Sequence, residues 1–336
     1  MDFNKPGMAE HVAATIRNEI DDNSAKDNPP KYRWRVSPSS LGKECVAQQW
    51  FAYRWVSLRQ VPGPIARLFA RGNKEEGNII ALLRRAGWEV RDYDKRLCYH
   101  PESESYVAQD WEKEVGQELL DVHDIPTHIA QAKARDKWML TQYRVKDLGG
   151  HYSGYLDGKA RHPIHTGNEW VLLELKTYKS RLFSVLVARD KEGNLKTVQV
   201  NNYDYYCQAV QYMDYHQLPW CLFAALNKDD DDLYFECIPA NPGLALSLKA
   251  TAHTIATSQA RPARIAESPT FHKCKVCDFT NICHKSAPVD INCRSCQHCV
   301  AEFQTNKGNF RCNKWDAIIP DEKAILAACP QHLPLV

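Results

Sequence analysis

The spacing of cysteine restricts the fold of this chain more than any other feature of its sequence. Among its 336 residues are 13 cysteines, and eight of them lie between Cys274 and Cys329. Crowded cysteines predict disulfides in a small secreted protein, but this chain is large and its first residues lack the basic end and apolar run of a signal peptide. In a reducing compartment, clustered thiols favour metal binding. We therefore expect a cytoplasmic protein whose C-terminal part is held by metal sites.

The composition of the chain limits which classes of partner it can bind. The chain is 44% hydrophobic and 25% charged, which is enough for a core of its own. Its net charge of +2 balances 43 basic against 41 acidic residues, so a nucleic-acid-binding surface would have to be a local patch. No apolar run approaches the roughly 20 residues of a membrane span, and we expect no membrane partner.

The first group of cysteines is one ligand short of a complete metal site. Cys274, Cys277 and Cys283 place three thiolates in one short segment, whereas a tetrahedral zinc ion and a cubane iron–sulfur cluster each take four. The fourth ligand must come from elsewhere in the chain. Unligated buried thiols are the alternative, although the spacing favours a metal. The cysteines outside both groups are predicted to be core residues: Cys98, Cys207, Cys221 and Cys237.

The second group offers more ligands than one zinc ion needs. It consists of Cys293, Cys296, Cys312, Cys329 and His332, with His298 and Cys299 as alternates. The paired spacings of Cys293 with Cys296 and of Cys329 with His332 are typical of a zinc ribbon or knuckle. We expect the four cysteines to bind zinc, with His332 as the next candidate. Such a module would stabilise residues 287–336, which are too few for a core of their own.

Helix and strand patterns follow one another without the regular alternation of a doubly wound sheet. The predicted helices are Cys45–Trp55, about 75–85 and Tyr203–His216, and the predicted strands are Trp88–Tyr99, about 143–160, Trp170–Tyr178, Trp220–Asn227 and Leu233–Ile238. A charged stretch between residues 110 and 137 is predicted to be a helical insertion. This order indicates an α/β or α+β fold with a mixed sheet, whose first three strands form a meander with one exposed face. Residues 1–30 are predicted to be a flexible polar arm and residues 31–286 the main domain.

Two carboxylates and a lysine are predicted to meet on neighbouring strands. Glu174 and Lys176 share one face of a strand because side chains alternate with period two, and Asp157 ends the strand before it. With the carbonyl of Leu175, these carboxylates offer the hard oxygen ligands that Mg²⁺ or Mn²⁺ prefers. Glu76 lies on the apolar face of a preceding helix, where a carboxylate is costly unless it is paired or bound to a metal.

The alternative interpretation of these residues is structural. A glutamate and a lysine two apart in a strand are more typical of an exposed charge pair that contributes only a few tenths of a kcal/mol. The combination with Asp157 and Glu76 favours a metal site and phosphodiester hydrolysis, in which a lysine positions the attacking water or neutralises the oxyanion. Gln208 and Tyr212, four residues apart on one helix face, are by themselves more typical of core packing.

Four segments resemble, in their order, the motifs of the RecB-like exonucleases of the PD-(D/E)XK kind. These segments are Arg71-Gly72-Asn73-Lys74-Glu75-Glu76, Gly154-Tyr155-Leu156-Asp157-Gly158, Glu174-Leu175-Lys176-Thr177 and 205–213. The resemblance spans about residues 37–283 and implies a restriction-endonuclease-like core. It also implies that Glu76, Asp157 and Glu174 are metal ligands, that Lys176 is the catalytic lysine, and that Gln208 and Tyr212 contact DNA and the active site.

The setting of Cys45 extends this resemblance to an iron–sulfur branch. The segment 37–45 is similar to the N-terminal cluster ligand of AddB and of the CRISPR adaptation exonuclease, in which one distant cysteine joins three near the C-terminal end. The resemblance implies that Cys45 completes a 4Fe-4S cluster with Cys274, Cys277 and Cys283, although zinc remains the competing metal. Basic residues near residues 179–196 could add phosphate contacts.

The sequence thus predicts a metal-dependent deoxyribonuclease that acts as an exonuclease at single-stranded or double-stranded DNA ends. By resemblance to bacteriophage-borne members, it would serve DNA recombination or processing in a bacterial host, with a possible partner protein that the sequence does not identify. The other hypothesis is a catalytically inactive, metal-stapled module that binds DNA or protein. All four of Glu76, Asp157, Glu174 and Lys176 are present, which favours the enzyme.

Overall fold

A computed structural model gives the fold of residues 8–100, 105–108, 139–193, 196–305 and 307–335. The helical insertion predicted between residues 110 and 137 lies outside this part of the chain. Within these ranges, none of the helices combines the length and the apolar character that crossing a membrane requires.

The described chain alternates helices and short strands. The helices are α1 (Met8–Lys26), α2 (Pro38–Leu41), α3 (Val46–Tyr53), α4 (Gly63–Arg85), α5 (Ser180–Leu186), α6 (Val198–Asn201), α7 (Tyr203–His216), α8 (Pro242–Thr257), α9 (His272–Lys275), α10 (Thr280–Lys285) and α11 (Glu322–Ala327). The strands are β1 (Glu89–Arg91), β2 (Asp94–His100), β3 (Ser105–Ala108), β4 (Met139–Thr141), β5 (Arg144–Asp147), β6 (Tyr152–Tyr155), β7 (Gly158–Arg161), β8 (Val171–Tyr178), β9 (Trp220–Asn227), β10 (Leu233–Pro239), β11 (Cys299–Ala301), β12 (Phe310–Cys312) and β13 (Ala317–Ile319).

The main sheet is mixed, so the predicted class is confirmed. Its strand order is β1-β7-β8-β9-β10. Strands β8 and β9 run parallel, and the other neighbours in this sheet run antiparallel. The predicted helix Tyr203–His216 and strand Trp220–Asn227 have the predicted bounds, and the hairpin partner β10 ends one residue later than predicted.

Strands β1, β7 and β8 pair antiparallel in chain order, as the predicted meander requires, but β8 is covered on both faces, so the predicted exposed face is wrong. Leu173 packs with Ile79 and Ile80 of α4 in one apolar cluster, whereas Leu172 belongs to the other cluster together with residues of α7 such as Val210. Helices on both faces explain why β8 is buried along most of its length. Glu174, on this strand, is therefore buried.

Two further predictions of local structure, a helix start and the bounds of two strands, were wrong. Helix α4 begins at Gly63 rather than near residue 75, with proline in its first turn, where the missing N–H is not needed. The strand predicted over Trp88–Tyr99 is divided between β1 and β2, and the one predicted over 143–160 is divided among β5, β6 and β7. The arm predicted over residues 1–30 contains helix α1, which contacts α4 through an ion pair of Asp21 with Arg67 at 2.7 Å.

Residues 287–336 add a small sheet that shares the main core. Strands β11, β12 and β13 pair antiparallel to one another. Phe310 of β12 and Ile325 of α11 are buried in the same apolar cluster as Trp50 and Tyr53 of α3. The predicted boundary at residue 286 therefore does not separate two cores.

His151 joins the turn before β6 to this C-terminal segment. The imidazole is fully buried, with Nε2 at 3.0 Å from the carbonyl oxygen of Glu302 and Nδ1 at 2.8 Å from the hydroxyl of Tyr53. Because a carbonyl only accepts, Nε2 carries the proton and Nδ1 accepts from Tyr53. Burial lowers the pKa of His151 from 6.5 to about 4, so the buried ring is neutral near pH 7.

We expect the stability of the protein to fall as the pH drops from about 6.5 to about 4, in part because of His151. Between these values, the unfolded chain binds a proton on this histidine and the folded chain does not. The contribution reaches at most about 3 kcal/mol. Denaturant unfolding at several pH values would measure it, with His151→Gln as the comparison. Parallel loss of stability in both proteins across this range would contradict the prediction.

Candidate active site and cysteine clusters

Asp157, Glu174 and Lys176 meet at the centre of the main sheet. The Nζ atom of Lys176 contacts Glu174 Oε1 and lies 3.5 Å from Asp157 Oδ2. The backbone N–H of Leu175 donates to the same Asp157 oxygen at 2.7 Å, which orients that carboxylate toward β8. The carbonyl of Leu175, a predicted metal ligand, accepts a hydrogen bond from Lys176 Nζ at 2.9 Å. The structure therefore brings these predicted groups together on one side of β8.

Glu174 is the most constrained of these groups. Its side chain is 0% exposed, and its Oε2 atom is buried without a hydrogen-bond partner among the described residues. Burial raises the pKa of Glu174 to about 8, the positive charge of Lys176 opposes this shift, and the charges of Asp157 and Glu76 add to it. An unsatisfied carboxylate oxygen inside a protein is costly, and a divalent cation at this position would satisfy it.

Glu76 approaches the site from α4. The residue is half-buried, and its charge adds to the rise in the pKa of Glu174, so the two carboxylates lie close enough to interact. One turn earlier, Gly72 lies beside the end of β8, where an added Cβ would be 3.5 Å from Thr177 Oγ1. The predicted motif on α4 therefore lies alongside the predicted motif on β8.

Helix α7 covers the face of the sheet opposite to α4, which is the face that Glu174 and Lys176 share. Gln208 and Tyr212 are buried. The hydroxyl of Tyr212 accepts a hydrogen bond from the backbone of Tyr155, and burial and the charge of Glu174 raise its pKa well above the usual value. A Cβ on Gly154 would stand 2.8 Å from that hydroxyl, so glycine allows β6 to approach the helix.

Tyr205 is a site residue that the sequence did not single out. Its ring centre lies 5.1 Å from Lys176 Nζ, within the range of a cation–π contact. Tyr205 lies three residues before Gln208 on the same helix face, and this spacing could have indicated that it belongs to the site. The basic residues predicted to contact phosphates are all exposed, as that role requires: Lys179, Arg181, Arg189, Lys191 and Lys196.

The first group of cysteines lines one cavity with Cys45. Cys45 precedes the first turn of α3, Cys274 lies in α9, and Cys283 lies in α10. These three thiols and that of Cys277 line the cavity together with Phe51 and other residues. Burial raises the pKa of Cys277 and Cys283, and the neighbouring thiols add to both shifts.

The second group lines a separate cavity in the C-terminal segment. Its walls include every predicted ligand and both alternates: Cys293, Cys296, His298, Cys299, Cys312, Cys329 and His332. Among the residues that the structure describes, no group of three or more His, Cys, Asp or Glu side chains has a geometry suited to holding a metal ion. Metal ligation at the three places therefore stays a prediction.

Two cysteines predicted to be core residues, Cys207 and Cys221, are buried, but Cys237 is exposed. Strand β10 is the edge of the sheet, and alternate side chains of an edge strand face outward. The side chain of Cys98 lies outside the described residues.

Two solved structures resemble the fold weakly. An alkaline exonuclease from Laribacter hongkongensis has 12% sequence identity, with a TM-score of 0.37, and the match covers 70% of this chain and 90% of that chain. The protein SSO0001 has 12% identity and a TM-score of 0.36, and the match covers 80% of this chain and 96% of that chain. Neither protein-family models nor curated protein sequences give a match.

We expect Mn²⁺ to stabilise the protein through the carboxylates around Lys176. A ligand that binds only the folded state at 100 times its Kd adds about 2.7 kcal/mol. Thermal unfolding with and without Mn²⁺ should show this gain in the wild type and a loss of most of it in Asp157→Asn and Glu174→Gln. The control is Glu322→Gln, which changes an exposed carboxylate on α11. Equal stabilisation of all four proteins would place the bound metal elsewhere.

Proposed function

We propose that the chain is a divalent-metal-dependent DNA nuclease of the RecB-like PD-(D/E)XK kind that acts as an exonuclease at DNA ends. The observation that carries the proposal is the buried carboxylate of Glu174. One of its oxygens contacts Lys176, and the other is buried and unpartnered among the described residues beside Asp157. An ion pair with Lys176 alone leaves that second oxygen without a partner, whereas a metal ion would bind it.

The residues around this oxygen fit a magnesium or manganese site. Glu76, Asp157, Glu174 and the carbonyl of Leu175 offer oxygen ligands alone, the donor type that these hard cations prefer. When bound, the metal lowers the pKa of a coordinated water and polarises the phosphoryl oxygen. Lys176 Nζ donates to the carbonyl oxygen of Leu175 at 2.9 Å, and the second lone pair of that oxygen would be available to a metal ion.

The role of Lys176 in the proposed reaction follows from the position of its ammonium. Its ammonium lies between the carboxylates of Asp157 and Glu174, where it can orient an attacking water or neutralise charge on the phosphate. The ring of Tyr205 faces this ammonium and limits its movement. Tyr212 of α7 lies near Glu174, and Gln208 is placed on the same helix face by its spacing. The exposed basic residues after β8 would bind the phosphates of the DNA.

The cavity lined by Cys45, Cys274, Cys277 and Cys283 fits a 4Fe-4S cluster, as the resemblance implies. Four thiols are the donor set that such a cluster takes. When bound, the cluster would tie α3 to α9 and α10 and so close a loop of more than 200 residues. Its proposed role is structural, because the cavity contains no residue of the candidate active site. The proposed setting, by resemblance alone, is recombination or processing of DNA in a bacterial host, with a protein partner unidentified.

A binding module without activity is the second candidate. It is favoured by the contacts of Lys176 with both carboxylates, which neutralise part of the negative charge of the site without any metal. The two candidates differ in whether DNA is hydrolysed, since both would bind it.

We expect the wild type to degrade linear DNA in Mn²⁺ or Mg²⁺ and to leave covalently closed circular DNA intact. Lys176→Ala should lower the rate roughly 100-fold or more, because one charged group that stabilises the transition state is lost. Lys323→Ala, which changes an exposed lysine on α11, serves as the control. End-labelled single- and double-stranded substrates would give the rate and the strand preference. DNA binding without cleavage in any divalent metal would support the inactive module, and cleavage of closed circles would contradict an exonuclease.

We expect protein purified without oxygen to be brown, with the broad visible absorption of an iron–sulfur cluster. Cys277→Ser should lose the colour and most of the iron, because it removes one of four ligands. Cys237→Ser should keep both, since that thiol is exposed on the edge strand β10. A colourless wild type that contains zinc in this cavity would contradict the cluster without affecting the nuclease proposal.

A further inference from the structure

Two arginines are buried in the C-terminal part of the core, and neither forms an ion pair with a carboxylate of the described residues. Arg54 and Arg294 are each 0% exposed. Arg54 Nη2 donates to the carbonyl oxygens of Cys296 and Cys299 at 2.9 and 3.0 Å. Arg294 donates to the carbonyl oxygens of Trp34, at 2.9 Å, and Tyr53. The Nε atoms of both guanidinium groups and Nη1 of Arg54 are buried without a partner among the described residues.

Neutral partners alone do not account for this burial. Aromatic rings surround Arg294, with the centres of Trp55 and Phe310 at 4.4 and 4.3 Å from its Cζ atom. Such rings attract a cation but carry no net charge. Two positive charges away from water need a negative charge nearby, because the cost of removing an ion from water is otherwise not recovered.

The cavity lined by the second group of cysteines is next to these guanidinium groups. The hydrogen bonds of Arg54 reach the backbone of two cysteines that line it. Burial raises the pKa of Cys293 to about 11, and the charges of Cys329, Cys296 and Cys312 add to the rise, so these four thiols lie near one another. Burial also raises the pKa of Cys299, and the nearby charges of Arg54 and Arg294 oppose that rise.

Local contacts of Cys296 and His332 leave both side chains able to bind a metal. The backbone N–H of Leu333 points at Cys296 Sγ at 3.4 Å. His332 has its Nε2 atom at 3.0 Å from Ser295 Oγ, which leaves Nδ1 for a metal. The choice of Cys293, Cys296, Cys312 and Cys329 as the ligand set rests on the proximity of these four thiols in one cavity.

We propose that these four cysteines bind one zinc ion as a tetrathiolate and that this centre is the counter-charge of Arg54 and Arg294. Each thiol releases its proton to solvent when the ion binds, and four thiolates around Zn²⁺ leave two negative charges. A centre with three cysteines and a histidine would leave only one. The thiols line the cavity without forming a metal geometry of their own, so the side chains close around the ion as it binds.

Zinc content tests the ligand set. The experiment uses the full chain with Cys277→Ser in the background, so that zinc in the first cavity is not counted. This protein should contain one zinc, Cys312→Ser should lose it, and His332→Ala and Cys299→Ser should retain it. Absence of zinc in the background protein, or loss on His332→Ala with retention on Cys312→Ser, would overturn the proposal.

Cobalt and the arginines provide tests that do not require a cysteine variant to fold. Cobalt bound in place of zinc should show the thiolate charge-transfer intensity of four sulfur ligands, and an intensity typical of three or fewer would overturn the ligand set. Arg54→Gln should weaken zinc binding roughly 10- to 100-fold in competition with a chelator, the range typical of residues that support metal ligands. The matched control is Arg311→Gln, which changes a partly exposed arginine of β12 that pairs with Asp316. Unchanged zinc affinity in Arg54→Gln would overturn the counter-charge role.

Discussion

The ion pair between Glu174 and Lys176 lies inside a sheet that is covered on both faces, and the arrangement of the candidate site depends on it. Two charges two residues apart on a central strand must face the same helix, here α7. Burial makes the pair sensitive to every neighbouring charge, which is why Asp157 and Glu76 affect Glu174. The lysine neutralises part of this negative charge, and the remaining unpartnered oxygen is the one that a metal ion would use.

The parts of the fold that the sequence predicts well are those set by local periodicity. Strand β8 and helix α7 have strong patterns, and the three motif positions Asp157, Glu174 and Lys176 converge because neighbouring strands place them there. Glu76 was placed on the apolar face of its helix by spacing alone, although the start of that helix at Gly63 was missed despite the helical spacing of Ile65, Leu68 and Phe69.

Long-range packing accounts for what the sequence did not predict. Helix α1 contacts α4 through the ion pair of Asp21 with Arg67, whereas Ile16 and Ile20 on the same helix are exposed, so apolar periodicity did not predict this contact. The C-terminal segment was expected to be too short for a core of its own, and its buried side chains pack in the main hydrophobic core instead. Arg294 contacts Trp34 and Tyr53, residues more than 200 positions away, and no pattern in a single sequence reveals such a pairing.

The hairpin of β5 and β6 connects this shared core to the candidate active site. At its turn, Gly149 has a φ of 59° and lies directly against the backbone of Phe303, a position that favours glycine. At its other end, Gly154 lies against Tyr212 of α7, and the chain continues from there to Asp157. The hairpin is therefore fixed at its turn by the C-terminal segment and at its base by the helix over the site. A change in the position of the C-terminal segment would therefore shift Asp157 through the β5–β6 hairpin. The C-terminal segment, with its cysteine cavity, thus supports the site rather than forming a separate appendage.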